Sequence, residues 1–211
     1  APDVQKSGVG HSITFSHPVR VRDVHLDGGF VGYGIDGSPA DCVKIGVREI
    51  MKEKPGLLVA GINIGANVGI NVLYSGTVAA AIAVSLEISE LPPDVQSAAA
   101  LTRDIISSII TREIPKGTLI NINIPLVPKN EIKGIKITKQ YSGDFDERYD
   151  RRTDPRGSAY YWLAGTGWPE EDVIGTDMHA LKGGYISMTP LKYDLTDNRF
   201  FKELETWDIE Y

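Results

Sequence analysis

Leu57-Leu58-Val59-Ala60 is a short, wholly apolar run. A strand with one solvated face would carry polar residues at alternate positions. An unbroken run therefore predicts a parallel β-strand covered on both faces. The run leads into Gly61-Ile62-Asn63 and the glycine-rich stretch Ile64-Gly65-Ala66-Asn67-Val68-Gly69. Ser75-Gly76-Thr77 then opens a helix through Val78-Ala79-Ala80-Ala81. A buried strand, a glycine-rich loop and a helix start, in that order, belong to an open α/β sheet. In such sheets ligands bind beyond the carboxyl ends of the strands, beside helix N-termini.

The rest of the chain supports an α/β class. Residues 19–26 and 30–33 are rich in β-formers and flank Asp27-Gly28-Gly29, which predicts a hairpin. Ser38 suits an N-cap, Pro39 the first helical position and Asp41 the positive end of the helix dipole. Val43, Val47 and Ile50 follow at helical spacing until Lys54-Pro55-Gly56 stops the helix. Residues 94–112 form an amphipathic helix with Ala98, Leu101, Ile105 and Ile109 on its apolar face. Residues 118–125 alternate as a strand that places Asn121 and Asn123 on one face. Further strands are expected at 135–140 and 184–189, another outside the main sheet at 158–163, and a terminal helix at 196–211. Residues 142–157 are polar and charged without apolar periodicity, and the charged run at 144–156 reads as a solvated arm or loop.

Two places break the pattern. Ile82-Ala83-Val84-Ser85-Leu86 reads as a core strand yet follows the helix at 78–81 with no turn. A crossover between parallel strands needs roughly a dozen residues, so residues are expected to be missing between Ala81 and Ala83. Residues 3–12 likewise read as an active-site loop with no strand before it, so the chain is expected to lack its front.

A formal net charge of −6 argues against a binder of nucleic acid polymers, which would need a basic face. It leaves room for a small phosphorylated substrate, because one divalent cation supplies positive charge locally. Cys42 is the single cysteine, which excludes an internal disulfide and zinc sites built from several thiolates. A reducing, cytoplasmic setting is the simplest expectation. No apolar run reaches the ~18 residues of a membrane span, and no signal peptide is evident.

The densest candidate site is Gly61-Ile62-Asn63 with Asn67 and Ser75-Gly76-Thr77. An Asn at the end of a buried strand can offer its carbonyl oxygen to a hard cation. Glycines let backbone N–H groups approach a phosphate, and Ser75 and Thr77 add hydroxyl and N–H donors. Spacing alone leaves open a glycine-rich turn with Ser75 as a simple cap. The P-loop is absent, and Gly61, Gly65 and Gly69 do not follow the dinucleotide-binding spacing. A second candidate is Ser7-Gly8-Val9-Gly10-His11-Ser12. There Ser7 is either a metal ligand or part of a flexible loop, and His11 is either a general acid or an ordinary hydrogen-bonded histidine. Asp177 reads as a cap or helix-dipole partner, and Cys42 as a small hydrophobe.

The chain resembles the SurE family, the stationary-phase survival proteins that act as 5′/3′-nucleotidases. The match is carried by Ala1-Pro2-Asp3, Ser7-Gly8-Val9-Gly10-His11-Ser12-Ile13-Thr14 and Gly37-Ser38-Pro39-Ala40-Asp41-Cys42-Val43. It continues through Gly61-Ile62-Asn63-Ile64-Gly65-Ala66-Asn67, Tyr74-Ser75-Gly76-Thr77 and Asn121-Ile122-Asn123-Ile124-Pro125. It ends on Asp154-Pro155-Arg156-Gly157, Thr176-Asp177 and Gly184-Tyr185-Ile186-Ser187-Met188-Thr189-Pro190-Leu191. The resemblance implies a single Rossmann-like, three-layer α/β domain with a mainly parallel sheet. Its core would span about 1–141 and 164–195, with an exchanged arm at 142–163 and a terminal helix at 196–211. It also implies one divalent cation per subunit, magnesium or manganese. The family holds that ion with an aspartate pair, a serine and an asparagine. The serine falls on Ser7 and the asparagine on Asn63, while the aspartate pair lies on a first strand that this sequence lacks. No catalytic residue is therefore assigned. Asn67, Ser75, Gly76, Thr77 and His11 are the candidates for holding substrate and phosphate.

The implied activity is metal-dependent hydrolysis of nucleoside 5′- and 3′-monophosphates. A broad acid phosphatase, a short-chain exopolyphosphatase and a non-catalytic nucleotide-binding protein are the alternatives. The implied assembly is a homodimer or homotetramer, because Tyr160, Tyr161 and Trp162 on an exposed strand need cover. Deleting residues 144–163 is expected to give monomers or insoluble protein. A soluble deletion variant with unchanged subunit number by light scattering would contradict this.

Overall fold

The structure is a computed structural model that describes residues 1–6, 8–26, 28–80, 82–87, 94–165, 168–169 and 171–209. Strands β1 (Val21–Leu26) and β2 (Phe30–Ile35) pair antiparallel as the expected hairpin. The start of the chain runs beside β2, where Asp3 N donates to Ile35 O at 3.0 Å.

Helix α1 (Pro39–Ile45) begins at an N-cap Ser38 and continues as one wide π turn over Gly46–Ile50. Its start is a capping box. Asp41 N donates to Ser38 Oγ at 3.1 Å, and Ser38 N donates back to Asp41 Oδ2 at 2.9 Å. Asp41 also accepts from Thr14 N at 3.1 Å and Thr14 Oγ1 at 2.7 Å, which straps residue 14 to the helix.

Strand β3 (Val59–Ile64) leads to two short helices, α2 (Asn71–Tyr74) and α3 (Gly76–Ala80), and then to β4 (Ile82–Leu86). Helix α4 (Val95–Ile109), capped by Asp94, precedes β5 (Thr118–Ile124) and the short β6 (Ile135–Ile137). Strands β7 (Arg148–Thr153) and β8 (Ala159–Ala164) make a separate hairpin. Helix α5 (Asp177–Lys182), β9 (Ile186–Lys192) and α6 (Asn198–Leu204) complete the chain.

The central sheet has the order β3-β4-β5-β9-β6. Strands β3, β4 and β5 are parallel, β9 runs antiparallel to β5, and β6 is parallel to β9. This is the expected mainly parallel sheet between helical layers. Strand alternation sorts it into two unlike faces. Ile82, Val84, Leu86, Ile122, Ile124 and Ile186 pack against Ala98 and Ile105 of α4. Each such buried aliphatic side chain stabilises the fold by about 1.5–3 kcal/mol. The intervening residues Ser85, Asn121, Asn123, Ser187 and Thr189 form a polar layer on the opposite face, none more than 1% exposed. Polar groups buried this deeply must find partners, and that need brings a loop down onto this face.

Several expectations change. The terminal helix expected over 196–211 spans Asn198–Leu204, and the strand expected over 135–140 spans Ile135–Ile137. The strand expected over 57–60 begins at Val59 and runs through Asn63, so the Gly-Ile-Asn motif lies inside the strand. It is an edge of the described sheet, not a strand covered on both faces, and Val59 and Ile64 are 44% and 51% exposed. Part of the charged stretch 142–157 is strand β7, whose six residues are all exposed. An exposed hairpin buries no face, so no apolar alternation marks it.

At residue 41, burial opposes ionisation, but the hydrogen bonds from Thr14 and Ser38 outweigh it and hold the carboxyl below its ordinary value of 3.8. A carboxylate depressed in this way stabilises the fold above its unfolded pKa and loses that contribution as it takes up a proton. Asp41→Asn should therefore cost about 1–2 kcal/mol at neutral pH. In urea titrations the gap to wild type should close as pH falls below 3.8. A gap that is the same at neutral and acid pH would contradict the assignment.

Candidate phosphate site

Strand β3 carries Asn63 to the carboxyl end of the sheet, half-buried. Its Nδ2 donates to Gly65 O at 2.7 Å, and among the described residues its Oδ1 has no partner. The carbonyl oxygen is thus the atom left to meet a ligand. Two residues earlier, Gly61 adopts φ +136°, and a Cβ there would lie 2.5 Å from Val84 O. Only glycine lets β3 pass this close to β4 at the register shift between Ala60 and Asn63.

Beyond β3 the chain turns over the polar face of the sheet. Asn67 is buried, and its Nδ2 donates to Ser85 Oγ at 2.6 Å. Helices α2 and α3 follow, with Ser75 between them. Ser75 Oγ accepts from Val78 N at 3.2 Å, so Ser75 does cap α3, as one of the two sequence readings held. The segment before β1 is stapled to α2. Gly10 N donates to Tyr74 O at 2.9 Å, and His11 Nε2 lies 3.3 Å from Val72 O.

These elements enclose a cavity of about 220 Å³ whose walls include Lys6, Asn63, Asn67, Ser75, Gly76 and Thr77. Five of the seven residues singled out in the sequence therefore meet at one place. Ser7 lies outside the described residues, though its neighbours Lys6 and Gly8 line the cavity. His11 is exposed and is not part of the cavity wall. A larger cleft of about 670 Å³ adjoins, and Lys6, Asn63 and Thr77 line both spaces. Cys42 lines that cleft, and burial pushes its thiol pKa up, which suits an inert hydrophobe better than a nucleophile.

The charge of the cavity favours an anion. Lys6 is the only charged side chain among the described lining residues, and no carboxylate faces it there. Lys6 was missed in the sequence because a lone lysine in a loop has no local signature.

A hard divalent cation needs several oxygen ligands, carboxylates foremost. Asn63 Oδ1 suits one position of such a sphere. Among the described residues, however, no three His, Cys, Asp or Glu side chains gather closely enough to hold an ion. The described residues therefore do not make up a complete metal site.

Fold and cavity together define an α/β protein with a small, mostly polar cavity at the carboxyl end of its parallel strands. The family described as Survival protein SurE matches residues 1–147. A protein of Syntrophobacter fumaroxidans named 5′-nucleotidase SurE is 42% identical over 99% of this chain and 87% of its own length. A protein of the same name from Natranaerobius thermophilus is 41% identical over 100% of this chain and 86% of its own length. The crystal structure of the SurE protein from Aquifex aeolicus superposes with a TM-score of 0.83 at 38% identity, covering 97% of this chain and 85% of that one. The chain belongs to the SurE family.

Gly61→Ala is expected to cost more than about 3 kcal/mol, beyond ordinary over-packing, because the conflict is with backbone and φ is positive. Gly56→Ala, where an added Cβ meets nothing within 4 Å, is the control and should be nearly neutral. Equal urea midpoints for the two variants would contradict this.

Proposed function

We propose that this cavity holds the phosphate of a nucleoside monophosphate and that the chain is a 5′-nucleotidase, a phosphomonoesterase releasing nucleoside and phosphate. The convergence of Asn63, Ser75, Gly76 and Thr77 on one cavity with a single cation and no facing carboxylate carries this reading. The Ser75 and Thr77 hydroxyls donate to phosphoryl oxygens, and Lys6 neutralises part of their charge. The cavity, at about 220 Å³, is smaller than the ~300–1,000 Å³ of whole-ligand pockets, so the nucleoside lies outside it. Asn67 positions the wall and His11 braces α2, with neither assigned to the chemistry. The names of the relatives support the same activity, and the 3′-monophosphates belong to the proposal as well.

Metal dependence fits the family. One magnesium or manganese ion per subunit is proposed, with Asn63 as its neutral ligand and Ser7 as a second. Its carboxylate ligands are proposed to come from outside the described residues. No step is derived through the ion.

Assembly into a homodimer or homotetramer through the arm also belongs to this proposal. Hairpin β7–β8 leaves Tyr149, Tyr161, Trp162 and Leu163 each more than half exposed, a cost that a partner subunit would remove. The single cysteine supports the proposed cytoplasmic setting. Among the described residues, no helix is long and apolar enough to cross a membrane.

Phosphate release from nucleoside 5′-monophosphates should exceed release from p-nitrophenyl phosphate or short polyphosphate, and should stop after chelation and dialysis. Asn63→Ala should weaken divalent-ion affinity by about tenfold or more with little change in melting temperature. Release that survives chelation would overturn the metal dependence. Equal rates on all three substrates would favour the broad phosphatase, and nucleotide binding without release would favour the non-catalytic reading.

A further inference from the structure

At Asn67 and Gly69, the loop between β3 and α2 is held by side chains from distant parts of the chain. At Asn67, the backbone N donates to Asn123 Oδ1 at 2.8 Å, and the carbonyl accepts from Asn121 Nδ2 at 2.7 Å and Asn123 Nδ2 at 3.2 Å. Two residues on, Gly69 N donates to Asp177 Oδ2 at 3.0 Å, and Gly69 O accepts from Gln140 Nε2 at 2.7 Å. Gly69 has φ +52°, and a Cβ there would lie 2.6 Å from Phe145 Cζ. This glycine is thus pressed against the root of the arm.

Asp177 is the unusual member of this set. It is 0% exposed, and among the described residues its three external partners are all backbone N–H groups: Gly69 N on Oδ2, and Tyr141 N at 3.0 Å and Met178 N at 2.9 Å on Oδ1. Helix α5 does not need it as a cap, because Thr176 Oγ1 already accepts from His179 N. A buried carboxylate without a cation is expensive. Capping does not account for keeping it, and its second oxygen serves the loop alone.

We propose that Asp177 is a positioning residue for hydrolysis, acting with Gln140 to fix both sides of Gly69 and thereby the cavity wall at residues 65–67. This inference rests on the reading of the cavity as the phosphate site. It makes the first turn of α5 and the root of the arm part of the apparatus that sets the site's geometry. A displacement of about 1 Å at such a wall is enough to cost ~10²-fold in rate.

The test uses Asp177→Asn and Gln140→Met in the full chain. In Asp177→Asn the amide oxygen can keep Tyr141 N and Met178 N, which turns the amide nitrogen toward Gly69 N–H and breaks that tie alone. Gln140→Met removes the tie to Gly69 O without touching the buried charge, and reads the inference if the first variant fails to fold. Two measurements are made: kcat and KM for a nucleoside 5′-monophosphate, and amide hydrogen exchange across residues 65–70 with β4 and β5 as reference. The expected result is a fall in kcat of about 10–100-fold for Asp177→Asn, with KM moving by less than about threefold. Gln140→Met should give a smaller fall in the same direction. Exchange should quicken at residues 65–70 while β4 and β5 stay protected. Wild-type kcat in a folded variant, or unchanged exchange at residues 65–70, would overturn the proposal. If the wild-type chain releases no phosphate, the nucleotidase reading fails by itself. Exchange then decides the positioning role: local quickening supports it and unchanged exchange overturns it.

Discussion

The peptide group of Asn67 is gripped on both sides by the side chains of Asn121 and Asn123, and much of the site depends on that grip. A loop laid across a buried sheet face would ordinarily strand its own N–H and C=O groups. Here the sheet offers amides of the right polarity at alternate positions of one strand, and the loop answers with its backbone. The same alternation turns the isoleucines of β5 toward α4, so one strand serves two purposes. Its apolar face supplies burial energy, and its polar face fixes a loop to within hydrogen-bonding tolerance.

That arrangement suits a protein that must bind an anion while carrying a net charge of −6. The negative charge is kept out of the cavity, whose described walls are neutral apart from Lys6. Asp177, the buried carboxylate nearest in the network, is turned to backbone N–H groups of the loop, the arm root and its own helix. Burial pushes its pKa above the ordinary value despite those three bonds. Ionising it in the folded chain is therefore a cost, and stability should fall as pH rises from 3.8 toward the raised value.

The sequence carried the local features well and the distant ones poorly. Ser38 and Asp41 were legible because a capping box is complete within four residues. Asn121 and Asn123 were legible as one face of a strand, but their partner at Asn67 lies 54 and 56 positions away and has no local signal. Asp177 read as a cap or helix-dipole partner: Thr176 is the cap and Asp177 does sit in the first turn of α5, but its reach to Gly69, 108 positions away, had no local signal. Helix α2 was not separated from the loop around it because it is only about a turn long. Strand β7 was missed because period-2 patterning reports burial, and β7 buries nothing within its own subunit. The grouping of Asn63 with Ser75, Gly76 and Thr77 was legible in the glycine-rich stretch itself, while spacing alone left open whether it was a site or a simple turn.

The central claim is that the end of β3, the loop after it and the start of α3 form one phosphate site. A titration with inorganic phosphate, followed by amide ¹⁵N and ¹H shifts, tests it without relying on turnover. The account predicts saturable changes concentrated at residues 63–67 and 75–77, with the hairpin at 148–164 unaffected. Saturable changes elsewhere, with residues 63–67 and 75–77 silent, would contradict it.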